Sequence, residues 1–193
     1  ETRNNLDLTG KTITYPNADG AVIIPKDGTV TLLYKITVTG TPGKAYSITD
    51  NGATWVGGAA MKGSLSDSGE AVIYVTKKFA DSDVNKYGQL ENTATVTPGK
   101  DDENNSSSTE TTPVKKFVTL TYYANGGDGN PPASSTVEKG KNVSVADQEN
   151  LSKSGYRFLG WSKNSSDKVE DSDYAPGKII TLNEDTDLYA IWQ

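Results

Sequence analysis

Residues Thr29 to Thr39 alternate without a break: Val30, Leu32, Tyr34, Ile36 and Val38 fall on one side, and threonines, Leu33 and Lys35 on the other. A period of two sends alternate side chains to opposite faces of an extended strand. This stretch is therefore a strand with one core face. Its surroundings read the same way. Lys11–Tyr15, Ala21–Ile24, Tyr46–Thr49, Met61–Leu65, Ala71–Val75 and Leu90–Val96 are short β-rich runs. Turn chemistry separates them at Pro16–Gly20, Asp27-Gly28, Thr41-Pro42-Gly43 and Asp50-Asn51-Gly52. Lys77–Tyr87, with Phe79 inside it, is expected to be a crossover loop with a helical turn. Strands at short, regular spacing and no amphipathic helix predict an antiparallel, Ig-like β-sandwich over residues 1–98.

Residues 99–113 hold no apolar side chain except the closing Pro113. A segment of this kind cannot bury enough surface to offset its ordering entropy, so residues 99–115 are expected to be a polar linker. A second domain then occupies 116–193, and the fold class is mainly β throughout. Within it, Tyr156, Phe158 and Trp161 form the densest aromatic cluster in a chain with 8% aromatic residues. Period-two spacing places the Tyr156 and Phe158 rings on one strand face. Gly160 interrupts the alternation, where a bulge would turn the Trp161 indole inward. The pattern returns at Leu188–Trp192, and the two aromatic strands are expected to pair. Phe117–Tyr123 and Ile179–Leu182 read as further strands, Val137–Val145 as a weak hairpin and Ala146–Lys153 as a short helix.

Tyr123-Ala-Asn-Gly-Gly-Asp-Gly129, Pro131, Gly155-Tyr-x-Phe-x-Gly-Trp161, Tyr174-Ala-Pro-Gly177 and Leu188-Tyr-Ala-x-Trp192 follow one another in order. In these blocks residues 117–193 resemble the internalin B-type repeat, also called the Listeria-Bacteroides repeat. The resemblance implies a small β-grasp-like module, carried in tandem on bacterial surface proteins and without enzymatic activity. Residues 8–98 resemble the Ig-like conserved-repeat and pilin-type domains of bacterial cell-wall proteins through Thr31–Thr39, Ile48-Thr-Asp50 and Asn92–Val96. Gly40, and the lack of a proline after Asp50, depart from that pattern.

The chain has neither cysteine nor histidine, which removes disulfides, zinc clusters of the His/Cys type, cysteine nucleophiles and histidine-based triads together. The net charge of −6 divides as −1 over residues 1–98, −1 over 99–116 and −4 over 117–193. With no basic patch, nucleic acid and anionic membrane are poor partners. No apolar run is long enough to span a bilayer, and the segment reads as a piece of a longer exported protein.

Some surface domains of the kind that the first half resembles carry an isopeptide bond between a lysine on an early strand and an asparagine on the last, assisted by an acid. By position the resemblance points to Lys11 and Asn92, with Asp50 or Glu70 as the acid. Burial in an apolar core favours the uncharged amine that must attack, and a protonated carboxyl would polarise the amide. The opposing reading is a solvated Lys11 at a strand start and an Asn92 engaged in ordinary hydrogen bonds. No cofactor or metal is expected: the acidic stretches Asp167–Asp173 and Glu184–Asp187 lack the spacing of an EF-hand loop. No acid sits in the apolar setting that a glycosidase needs. The rings of Tyr122, Tyr123, Tyr156, Trp161, Tyr174, Tyr189 and Trp192 read as core before they read as a sugar platform, and Trp55, in a glycine-rich stretch, as the exposed aromatic. Asn142 and Asn164 sit in glycosylation sequons. Together these readings predict a non-catalytic stalk or adhesin segment at the bacterial surface or cell wall. The alternative is a module that binds host glycan or host protein.

Overall fold

The computed structural model describes residues 8, 10–57, 61–99, 105–166 and 173–193. They are mainly β, and the chain divides into two compact units, Glu1–Lys115 and Lys116–Gln193.

The first unit has two sheets. One, in the order β2-β6-β4, is built from β2 (Thr29–Thr39), β6 (Glu70–Ala80) and β4 (Ala53–Trp55). The other, in the order β1-β8-β7-β3-β5, is built from β1 (Val22–Ile23), β8 (Ser106–Lys115), β7 (Gln89–Pro98), β3 (Ala45–Asp50) and β5 (Lys62–Ser64). The alternating stretch Thr29–Thr39 is β2, paired along its whole length with β6 from Thr29↔Ala80 to Thr39↔Glu70. Two apolar clusters join the sheets. Val22, Val30, Leu32, Phe79 and Leu90 form one, and Val38, Ile48, Leu65, Ile73 and Val75 the other. The Tyr34 ring packs against both.

Three expectations change here. The polar segment is not wholly a linker: Ser106–Lys115 is β8, lying between β7 and β1. A strand inside a sheet is held by its neighbours' backbone ladders and needs little apolar surface of its own. Serine and threonine suit such a strand because their hydroxyls bond across it, as Thr93–Thr109 and Thr95–Ser107 do. Pro113, which has no N–H to donate, sits just before the residues where β8 begins to pair with β1. Lys77–Ala80, expected in a loop, continue β6, and only Asp81–Asp83 form a helical turn, of the 3-10 type. Lys11–Tyr15 form no strand, although the Thr14 N–H donates to the Thr31 carbonyl.

In the second unit β10 (Ser135–Glu138), β9 (Phe117–Tyr123), β14 (Thr186–Trp192) and β12 (Phe158–Ser162) make one sheet in that order. β11 (Asn142–Ser144) and β13 (Ile179–Thr181) make a two-stranded one. β9 and β14 run parallel, and β12 pairs antiparallel with β14 as the aromatic pattern predicts. The register slips between Phe158 and Gly160, where Gly160 has φ 137°. This bulge turns Trp161 into the core, where it is fully buried among Leu120, Leu151, Leu182 and Leu188. The indole donates to the Ala146 carbonyl at 2.9 Å and lies 4.7 Å from the Tyr122 ring. Tyr156 is not part of this core. It precedes β12, is 55% exposed and meets the Lys153 amine instead. Val137–Val145 is not a hairpin, because β10 pairs with β9 and β11 with β13. Ala146–Lys153 form an irregular loop with a turn at Glu149-Asn150 rather than a helix.

Candidate functional site

β6 explains how a charged side chain comes to lie inside the first unit. Ile73, Val75, Lys77 and Phe79 follow the same period of two, and Ile73, Val75 and Phe79 are core residues. Lys77 therefore points inward with them, opposite buried Leu32 on β2 and half-buried Ala53 on β4. On the facing sheet Asn92 follows fully buried Leu90 along β7, and Asp50 follows buried Ile48 along β3. Asp50 pairs in register with Ala94, which places it diagonally from Asn92 on the same face.

The three side chains form one line across the interior. Lys77 Nζ donates to Asn92 Oδ1 at 3.1 Å, and Asn92 Nδ2 donates to Asp50 Oδ2 at 2.8 Å. Asn92 is 4% exposed and Asp50 6%, so the line separates the two apolar clusters instead of facing water. Its satisfaction is incomplete: Asp50 Oδ1 is buried without a hydrogen-bond partner. An orphaned buried acceptor costs about 1–3 kcal/mol, and such a group in a native core calls for an explanation. Tyr34 stands beside the line. Burial pushes its phenol up to about 12, with the charges of Asp50 and Glu110 adding to the rise and Thr112 opposing it. A cleft of about 350 Å³, lined by residues that include Tyr34, Ile36, Asn92, Ala94 and Glu110, leads to Asn92.

The structure brings Asn92 and Asp50 together and places Lys77, not Lys11, beside Asn92. Both side-chain bonds of Asn92 go to Lys77 and Asp50, while the described bond of Lys11 is that of its backbone N–H to the Leu8 carbonyl. Glu70 is exposed at the start of β6, and its N–H donates to the Ser66 hydroxyl oxygen. The signal for Lys77 was legible as a lysine in register with Val75 and Phe79, but it is lost once the strand is ended at Val75.

The other candidates fall elsewhere. Trp55 is half-buried against the cluster around Val75, so it is not the exposed aromatic. Of the acidic stretches, residues 167–172 lie outside the described residues. Asp185 accepts the Thr119 N–H, and Glu184 lies 3.8 Å from the Lys163 amine. Among the described residues no group of three or more acids is placed to hold a metal. Asn142 accepts from Thr181, and Asn164 caps its own turn through the Ser166 N–H. Tyr122, Trp161 and Trp192 are engaged in the second core, whereas Tyr123, 41% exposed, stacks on Tyr189 with centroids 4.9 Å apart.

The blocks that fix the second unit are those that its packing requires. Asn125, at φ 48°, donates through Nδ2 to the carbonyls of Ser165 and Ala190. Gly127 leaves room for Trp192, since a Cβ there would come within 2.5 Å of its ring. Residues 119–191 match the Listeria-Bacteroides repeat domain. Eighty residues are also 38% identical to a Gly-rich membrane protein of Evansella cellulosilytica, an alignment covering 39% of this chain and 9% of that protein. The repeat is thus a module of the second unit, and the chain spans a small part of the relative. Among the described residues no helix is long and apolar enough to cross a membrane.

Proposed function

We propose that this chain is a non-catalytic spacer or adhesin segment of a bacterial cell-surface protein. The observation that carries the reading is the repeat match over residues 119–191, together with the similarity to a small part of a much longer protein described as a membrane protein. The packing supports it. The repeat's aromatic blocks close its core, as Trp161 and Trp192 do, each with its indole N–H bonded to a carbonyl. An internal staple in the first unit belongs to the same reading, since a chain without cysteine must resist pulling and proteolysis in another way. The test is immunolabelling of intact source cells with antibodies against this segment, alongside proteolysis of the purified chain. Surface labelling and a protease-resistant chain are expected; labelling only after lysis would overturn the assignment.

A second reading is favoured by one feature. The stacked Tyr123 and Tyr189 rings present an aromatic surface, and the Tyr123 phenol is held up chiefly by the neighbouring Asp187 charge. Stacked rings beside a carboxylate suit the apolar face and hydroxyls of a sugar. Glycan-array binding that is lost in Tyr123→Ala would favour this module over a plain spacer.

A further inference from the structure

The line Lys77, Asn92, Asp50 has what an amide exchange needs and little that a structural ion pair needs. The lysine reaches an amide oxygen rather than a carboxylate. Nζ therefore stands no more than one carbonyl bond length farther from Cγ, the carbon that an amine attacks. The acid lies against the other end of the amide, on the nitrogen that would leave. Its second oxygen is buried with no partner, so the carboxyl is not fixed in place by competing hydrogen bonds. Strand pairing holds the groups: Lys77 on the central strand of its sheet, and Asn92 and Asp50 on adjacent strands of the facing one.

We propose that Lys77 and Asn92 are joined by an intramolecular isopeptide bond, formed with Asp50 as the catalytic acid and base. A proton passing from the Lys77 ammonium to the Asp50 carboxylate leaves a neutral amine and a carboxylic acid. The Nζ lone pair attacks Asn92 Cγ, forming the new N–C bond and moving the carbonyl electrons onto Oδ1. Asp50 gives its proton to Nδ2 and recovers one from Nζ. The carbonyl re-forms, the Cγ–Nδ2 bond breaks, and one ammonia departs through the cleft beside Asn92. No oxidant or co-reactant is consumed; Asp50, left holding the proton that came from the Lys77 ammonium, returns to the carboxylate by giving it to the departing ammonia, which leaves as ammonium. The bond ties the two sheets through β6 and β7, turns a polar line in an apolar interior into a neutral amide, and supplies the covalent link that cysteine does not. It deepens the reading of the chain as a load-bearing segment and rests on that reading for its purpose; the chemistry rests on these three residues alone.

The experiment is an intact-mass measurement on the full chain, followed by sequencing of its proteolytic fragments. The expected result is a mass one ammonia below that of the sequence, with a branched fragment joining Lys77 to Asn92. Lys77→Arg, Asn92→Ala and Asp50→Ala should each restore the uncrosslinked mass, and Lys11→Arg should keep the ammonia loss. An unmodified mass for the natural chain overturns the proposal without need of any variant. An ammonia loss confined to a single linear fragment, as cyclisation of an asparagine would give, or a branch at Lys11 overturns it equally. Because the readout is mass, a negative result leaves surface location untouched, and failed surface labelling leaves the bond untouched.

Discussion

Replacing Trp161 by phenylalanine tests whether the Gly160 bulge organises the second unit by delivering one particular side chain. The indole is completely buried, donates to the Ala146 carbonyl at 2.9 Å, and sits within 4.7 and 5.1 Å of the Tyr122 and Phe158 rings. Phenylalanine keeps a ring but loses the donor. The lost hydrogen bond removes about 1 kcal/mol, and an unpaired Ala146 carbonyl raises the loss toward about 3 kcal/mol. The smaller ring also leaves part of the site empty, at a further cost set by how far the neighbours collapse. A total of about 2–4 kcal/mol is a large share of the about 5–15 kcal/mol that stabilises a typical domain. For a unit of this size each kcal/mol moves the melting temperature by roughly 4–8 °C. Urea and thermal unfolding of the full chain, followed by near-UV circular dichroism, should show the second-unit transition shifted accordingly. A loss below about 0.5 kcal/mol would show that the buried indole contact contributes little and would refute the reasoning.

Three further outcomes follow from particular contacts. Gly127→Ala places a Cβ 2.5 Å from the Trp192 ring, so thermal unfolding should show a loss of about 1–3 kcal/mol from overpacking. Tyr156→Ala, at a position 55% exposed, should change stability by no more than about 0.5 kcal/mol in the same assay. The Tyr34 phenol, raised to about 12 from an unfolded value of 10.0, favours the folded state fully below pH 10.0. That contribution is lost as the pH rises through the window from 10.0 to about 12. Ultraviolet titration should find Tyr34 ionising late, and Tyr34→Phe should flatten this part of the stability profile.

The lesson for reading such chains lies in the strands where polar residues fall on apolar registers. Period-two alternation settled β2 from the sequence alone, because a helix cannot place Val30, Leu32, Tyr34, Ile36 and Val38 on one side. The Gly160 break and the inward turn of Trp161 were legible for a similar local reason: a glycine interrupting an aromatic alternation marks a bulge. Tyr156 misled because spacing alone assigned it a face, while the strand it was assigned to begins two residues later, at Phe158. Ser106–Lys115 misled for the opposite reason, since its own composition argues for disorder and only its neighbours make it a strand.

The sequence by itself determined that this protein is built from β-strands, that its second half carries a repeat whose glycines and aromatics fit one another, and that its chemistry has neither thiol nor imidazole. Only the tertiary structure decided which lysine faces Asn92. Local pattern assigns a face to each side chain. Which faces meet is fixed by the pairing of β6 with β2 in one sheet and of β7 with β3 in the other, between strands distant in the chain whose register no short window of residues contains.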